Sequence, residues 1–110
     1  MKSMTIFLAL MILSIPVCYA CSPDACVNVT IDDLYVNKNG PIYLRTSGDE
    51  SQLDCTLHSN VYIVLDSAAN NFDAVYSLLL SAQIADRKVA VRIINGSNPC
   101  QVSYVRMLQQ

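Results

Sequence analysis

The spacing of apolar and polar residues divides the chain into strands and one helix. Five segments have the short alternating or continuous apolar pattern of strands, and they are residues 26–36, 41–46, 61–65, 89–94 and 102–108. Over residues 72–82 apolar side chains recur instead at spacings of three and four, which predicts a helix with one face in the core. The predicted order is strand, strand, strand, helix, strand, strand.

The first of these segments contains a defect in its alternation. Apolar residues alternate with polar ones as far as Ile31, and the alternation resumes one position out of phase at Leu34. A slip of one residue would turn the following side chains to the wrong face of a sheet unless a bulge absorbs it. The pair Asp32 and Asp33 is the predicted bulge, and a strand bent in this way can contribute to two sheets.

The turn and helix-capping residues of the chain agree with this order. The sequence Asn-Lys-Asn-Gly at residues 37–40 predicts a tight turn, so the first two strands should form a hairpin. Asn70 or Asn71 can cap the helix, which should continue to about Asp86 and pack on the sheet.

This order favours an all-β fold with one helix. Five strands with a helix between the third and fourth, and a bent first strand, is the plan of the five-stranded OB-fold barrel. An open α+β sheet covered by one helix is the alternative.

The amino-terminal 20 residues have the pattern of a secretory signal. Lys2 is followed by an apolar stretch, and Ala20 is a small residue directly before Cys21. We therefore expect residues 1–20 to be removed and residues 21–110 to form one domain that is secreted or periplasmic, with no membrane span after cleavage. An uncleaved anchor and a lipoprotein with its lipid on Cys21 are the less favoured alternatives, because the stretch is short and the residues before Cys21 fit a lipid-attachment signal poorly.

Four cysteines remain after cleavage, and an oxidising compartment predicts two disulfides. We favour Cys55 with Cys100 and Cys21 with Cys26, although the two crossed pairings stay open. A zinc site would need closer thiolate pairs than these spacings provide, so no metal is expected. No cofactor motif is found.

The charge of the predicted mature chain excludes one class of partner. It holds nine acidic and six basic residues, with no basic run. A nucleic-acid surface requires clustered lysine and arginine, so no nucleic-acid partner is expected.

Few residues carry candidate chemistry. Tyr43 and Tyr62 are the candidate ligand-binding residues, because their strand neighbours should point inward and leave both rings on the outer face. His58 is the single histidine and the only basis for a hydrolase hypothesis, but no G-x-S-x-G motif accompanies it. The acidic stretch around Asp49 and Glu50 is interpreted as a solvated loop, since calcium-loop spacing is absent.

The second half of the chain resembles a known group of exported proteins. Residues 76–82 (YSLLLSA), residues 87–93 (RKVAVRI), Cys100 and residues 104–106 (YVR) resemble small secreted bacterial proteins similar to the subtilase cytotoxin B subunit. The resemblance covers about residues 55–107. It implies an OB-fold, a disulfide and a ring of subunits that binds cell-surface glycans, and no sugar-contacting residue is carried over from it.

Three functional hypotheses follow. The first is an exported non-enzymatic binding module for a surface glycan, B-subunit-like and assembled as a homo-oligomer. The second is an accessory envelope protein that binds another protein. The third, given little weight, is a small hydrolase that uses His58.

Overall fold

A computed structural model describes residues 20–110. The predicted signal, apart from Ala20, lies outside the described residues. The strands are β1 (Ala25–Val29), β2 (Ile31–Val36), β3 (Ile42–Thr46), β4 (Ile63–Leu65), β5 (Val89–Ile93) and β6 (Val102–Met107), and the helix is α1 (Phe72–Ile84). A single 3-10 turn, Glu50–Gln52, interrupts the loop between β3 and β4.

The protein is mainly β with one helix, as the pattern predicted. The strands form two antiparallel sheets of three, ordered β1-β5-β6 and β2-β3-β4. The sheets meet at one parallel bridge between Val64 and Gln101, where the Val64 N–H donates to the Cys100 carbonyl at 2.7 Å. Within residues 20–110 the strands thus form two linked sheets rather than a closed barrel.

The predicted first strand is divided into two. Asn28 has a φ of 61°, and the register between β1 and β5 shifts between Cys26 and Val29. The chain then leaves the first sheet and enters the second as β2. Between Ile31 and Asp33 the register against β3 shifts again, so Asp32 is the extra residue. The predicted bulge is confirmed, and the segment contributes to both sheets.

Helix α1 buries the side that its apolar spacing predicted. Val75, Leu79 and Ala82 are buried in the core, while the hydrophilic Asp73 and Ser77 are exposed. Asn71 stands at the N-cap position, but its side-chain amide donates to the Ser103 carbonyl at 3.1 Å instead of capping the helix. The helix is therefore tied to β6 at its beginning and to the core along its length.

Two disulfides connect the ends of these elements. Cys21 is bonded to Cys26, and Cys55 is bonded to Cys100, which are the pairings favoured from the sequence. The first disulfide also explains why residue 48 is a glycine, because a Cβ added there would lie only 2.7 Å from the Cys21 sulfur. The Cys21 sulfur thus lies in the core, bonded to Cys26.

The described residues bear on location in two ways. Two disulfides in a small domain fit an extracellular or periplasmic environment. Within residues 20–110, no helix is long and apolar enough to cross a bilayer, and α1 has only 13 residues.

Candidate functional site

Four aromatic rings lie together on the outer face of the β2-β3-β4 sheet. Tyr43 is at the centre, stacked on His58 with centroids 4.3 Å apart and planes 7° apart. Tyr35 lies 5.5 Å and Tyr62 lies 5.9 Å from Tyr43, again between ring centroids. Tyr35 and Tyr62 are 6.3 Å apart, which closes the group. We call Tyr35, Tyr43, His58 and Tyr62 the aromatic face.

The register of the sheet explains why these rings meet. Tyr35 and Tyr43 are directly opposite across β2 and β3, so their side chains share one side of the sheet. The neighbours of Tyr43 along β3, Ile42 and Leu44, are buried on the other side. Because Asp32 is an extra residue, Tyr35 is out of phase with Ile31 and points outward rather than into the core.

A short turn brings His58 to the same place. His58 and Tyr62 pair as an isolated antiparallel bridge, with N–H to carbonyl distances of 2.9 and 3.0 Å. Within this turn Ser59 and Asn60 both have positive φ, at 52° and 61°. Non-glycine residues rarely adopt this conformation, and it is found preferentially where the backbone shapes a functional site.

The aromatic face carries polar groups at its edge. The Tyr62 hydroxyl donates to Asp33 Oδ2 at 3.3 Å, and Asp33 is directly opposite Arg45 across the two strands. Tyr35 is 50% exposed, whereas Tyr43, His58 and Tyr62 are half-buried. The face therefore offers flat apolar rings bordered by hydrogen-bonding and charged groups.

The imidazole of His58 stacks on Tyr43 and is not hydrogen-bonded to the acids near it in sequence. A hydrolytic triad needs the histidine hydrogen-bonded to a serine and to an acid. Here the ring lies flat on Tyr43. Of the acids near it in sequence, Asp54 accepts from the Asn95 side chain at 3.5 Å, and Asp66 accepts from the Ala68 N–H at 2.9 Å. These partners hold both carboxylates elsewhere.

The acidic loop differs from the prediction at one residue. Glu50 is only 8% exposed, so the interpretation of this stretch as a solvated loop is wrong for Glu50. Its Oε1 accepts from the Thr46 N–H at 2.8 Å and from the Thr46 hydroxyl at 3.2 Å. Glu50 is drawn inward because the backbone and hydroxyl of Thr46, at the end of β3, need a buried acceptor.

The neighbouring Asp49 remains at the surface. Hydrogen bonds from the Ser51 hydroxyl, and then from the Ser51 N–H, hold the pKa of the Asp49 carboxyl below its usual value. Asp49 is thus held ionised beside the 3-10 turn that its side chain caps.

Glu50 borders an open cavity of about 330 Å³. Its lining residues come from the 3-10 turn and from the segment that begins at the Cys55–Cys100 disulfide, and they are Glu50, Ser51, Cys55, Thr56, Leu57 and Asn60. We call this the Glu50 cavity. The turn that carries His58 thus has Leu57 and Asn60 on the cavity side and His58 against Tyr43 on the other.

The site residues predicted from the sequence lie on the aromatic face and in the two disulfides. Tyr43 and Tyr62 are brought together on the aromatic face, and the four cysteines form the two disulfides. Sequence reasoning missed Tyr35 and His58 as members of the face. The phase slip at Asp32 was the signal that could have predicted the outward position of Tyr35. The stacking of His58 depends on a turn in which Ser59 and Asn60 have positive φ, and no glycine in the sequence indicates such a turn there.

Comparison with protein-family models, with curated proteins and with solved structures finds no match to this chain.

Proposed function

We propose that the protein is an exported, non-enzymatic binding module that engages a surface glycan through the aromatic face. The observation that carries this proposal is the contiguous group of Tyr35, Tyr43, His58 and Tyr62 on one side of the β2-β3-β4 sheet. Four neighbouring aromatic rings on the solvent-facing side of a sheet add little to stability, because much of the ring surface stays in contact with water.

The chemistry of the face suits a sugar ring. Flat aromatic surfaces pack against the apolar C–H side of a pyranose, while tyrosine hydroxyls donate or accept hydrogen bonds at its rim and a carboxylate accepts them. The Tyr62 hydroxyl and Asp33 are already joined at 3.3 Å, which fixes the direction in which each can bond to a ligand. Such preorganised polar groups give orientation and specificity.

The arrangement of the strands and the resemblance to the subtilase cytotoxin B subunit group both support the proposal. We infer an OB-like arrangement in which β1 and β2 act as one bent strand shared by the two sheets, and the Val64–Gln101 bridge joins the sheets on the other side. The similarity of residues 55–107 to the subtilase cytotoxin B subunit group implies the same class of glycan-binding module.

Replacing Tyr43 with Ala is expected to weaken glycan binding at least tenfold, about 1.4 kcal/mol. The ring contacts all three other members of the aromatic face, so its loss removes both a contact surface and the support of its neighbours. Binding would first be located on a printed glycan array and then measured by titration with the glycan of highest signal.

Tyr104 provides a matched control for this experiment. It is a strand tyrosine of similar exposure, 45% against 50% for Tyr35, but it lies on β6 in the other sheet. Tyr35→Ala should weaken binding, and Tyr104→Ala should leave it unchanged. Equal effects of the two substitutions, or an array on which the wild-type protein binds nothing, would contradict the proposal.

A second candidate, contact with a protein partner or with further copies of this chain, is favoured by the outer side of α1. Leu80 and Ile84 are one helical turn apart and are 38% and 78% exposed. Apolar side chains at this spacing form a ridge that packs readily against another protein.

Ile84→Ser is expected to shift a homo-oligomer towards monomer if α1 lies in the contact between subunits. The reason is the removal of the most exposed apolar side chain of the helix, while the folded core, which does not include Ile84, is left intact. Native mass spectrometry would report the subunit count, with Ala74→Ser at the exposed start of α1 as the control. A wild-type protein that is monomeric at high concentration would exclude contact between copies of this chain through α1.

A further inference from the structure

Glu50 is a charged side chain held almost entirely inside the protein. Glu50 is only 8% exposed, and both hydrogen bonds that its side chain accepts go to the same oxygen, Oε1. The Thr46 hydroxyl that donates to Oε1 also accepts from the Gly48 N–H at 3.1 Å. This network fixes the position of the carboxylate, because Oε1 and the Thr46 hydroxyl are each engaged in a defined direction.

The other carboxylate oxygen, Oε2, is not part of that network. No described side chain or backbone group donates to it, yet every side-chain oxygen or nitrogen in residues 20–110 that is fully removed from solvent has a partner. Glu50 is one of the walls of the Glu50 cavity, and Oε2 is the carboxylate oxygen to which no described residue donates. A carboxylate oxygen with unused lone pairs, on a side chain that cannot swing away, is a preorganised acceptor.

The rest of the cavity indicates which kind of group would meet that oxygen. The lining contains the hydroxyl residues Ser51 and Thr56 and the amide residue Asn60, but no lysine, arginine or histidine. Glu50 is the one charged residue among the described residues of the lining. The local charge thus favours a cation over an anion or a neutral group.

The donor set is unsuited to a metal ion. No group of three or more His, Cys, Asp or Glu side chains with the geometry for a metal occurs within the part of the chain that the structure describes. One carboxylate with two hydroxyls instead matches the three N–H donors of an ammonium group, which can bond to several acceptors at once. Leu57 and the Cys55–Cys100 disulfide would contact the carbon skeleton attached to it.

We propose that the Glu50 cavity binds a small organic ammonium group. The volume of about 330 Å³ lies at the lower end of the range of small-ligand sites, which is enough for one amine-bearing residue and not for a chain of them. This site is separate from the aromatic face, and the proposal does not depend on glycan binding there. An amino sugar and a lysine-like alkylamine share the required chemistry.

The test is a titration of the oxidised, ¹⁵N-labelled protein followed by NMR, with three probes. Glucosamine and Nα-acetyl-lysine amide carry the ammonium group, and N-acetylglucosamine keeps the sugar ring but lacks the charge. We expect at least one amine to shift the amide signals of Thr46, Ser51, Thr56 and Asn60 in a saturable manner. N-acetylglucosamine should bind there at least tenfold more weakly. The relative affinities of the two amines then show whether the natural ligand is an amino sugar or a lysine-like alkylamine.

Glu50→Gln is the decisive variant, because it removes the charge and keeps the shape. The glutamine carbonyl can still accept both bonds from Thr46, while the amide that replaces Oε2 is a donor and repels the ammonium group. Amine binding should fall at least tenfold. A Thr46 amide signal in its wild-type position would show that the network has been kept.

Asp73→Asn is the control, since it removes one negative charge from an exposed residue of α1 that does not line the cavity, and it should change the affinity less than twofold. The proposal is overturned if neither amine binds, if Glu50→Gln and Asp73→Asn have equal effects, or if the shifts are confined to the aromatic face. Tyr43→Ala should leave amine binding intact, so that failure of the glycan proposal and failure of this one are distinguished.

Discussion

Removal of the Cys55–Cys100 disulfide by Cys55→Ala with Cys100→Ala is expected to lower the free energy of unfolding by about 4 kcal/mol. The two cysteines are 45 residues apart in sequence, so the bond removes much of the freedom of the unfolded chain. Cys100 also accepts the 2.7 Å hydrogen bond from the Val64 N–H that joins the two sheets. Urea unfolding of the variant and of the wild type, with the slopes compared, would measure the loss.

The other disulfide is the internal control. Cys21 and Cys26 are only 5 residues apart, and the same treatment of chain entropy gives about 2 kcal/mol for Cys21→Ala with Cys26→Ala. Cys21 and Cys26 are both buried, whereas Cys55 of the longer pair is half-buried, so truncation itself should not cost the longer pair more. Equal losses from the two double variants would show that loop closure is not what the longer bond contributes.

Leu79→Ala is expected to destabilise the protein by about 2–5 kcal/mol. Leu79 has no exposed surface and lies in the core cluster beneath α1, so the substitution leaves a cavity that its rigid neighbours fill only in part. Thermal and urea unfolding would both report the change, and the intact fold of the variant would be checked by its circular dichroism at low temperature.

The next residue of the helix offers the comparison. Leu80 is the same residue type on the same helix, but it is 38% exposed. Its replacement by Ala should cost less than about 1 kcal/mol, because exposed truncations leave no cavity. A larger loss at Leu80 than at Leu79 would mean that α1 buries a different side from the one described.

The elements that local patterns control were predictable from the sequence. The helix follows from apolar spacing, and its buried residues Val75, Leu79 and Ala82 are those of the predicted stripe. The bulge follows from a phase slip, because a strand with one buried face cannot change phase without an extra residue. The register shift at Asp32 is the structural result.

The features that depend on particular backbone conformations, or on how segments lie against each other, were not predictable. An acidic residue in a polar loop is normally solvated, and only the position of Thr46 relative to the 3-10 turn makes Glu50 a buried acceptor. The stacking of His58 on Tyr43 likewise needs β3 and the His58–Tyr62 turn to be side by side. The division of the first strand depends on the positive φ of Asn28, a conformation that its sequence permits but does not require.

The bulge gives β2 one residue more than its pairing with β3 requires. Deleting Asp32 would therefore leave Leu34 in phase with the core-facing Ile31 and Tyr35 on the outer face, because the strand would then alternate regularly. An added residue between Ile31 and Asp33 has no such compensation and would need a second bulge to keep Tyr35 outward. Among variants of this chain, the loss of one residue here should therefore be tolerated far more often than a gain.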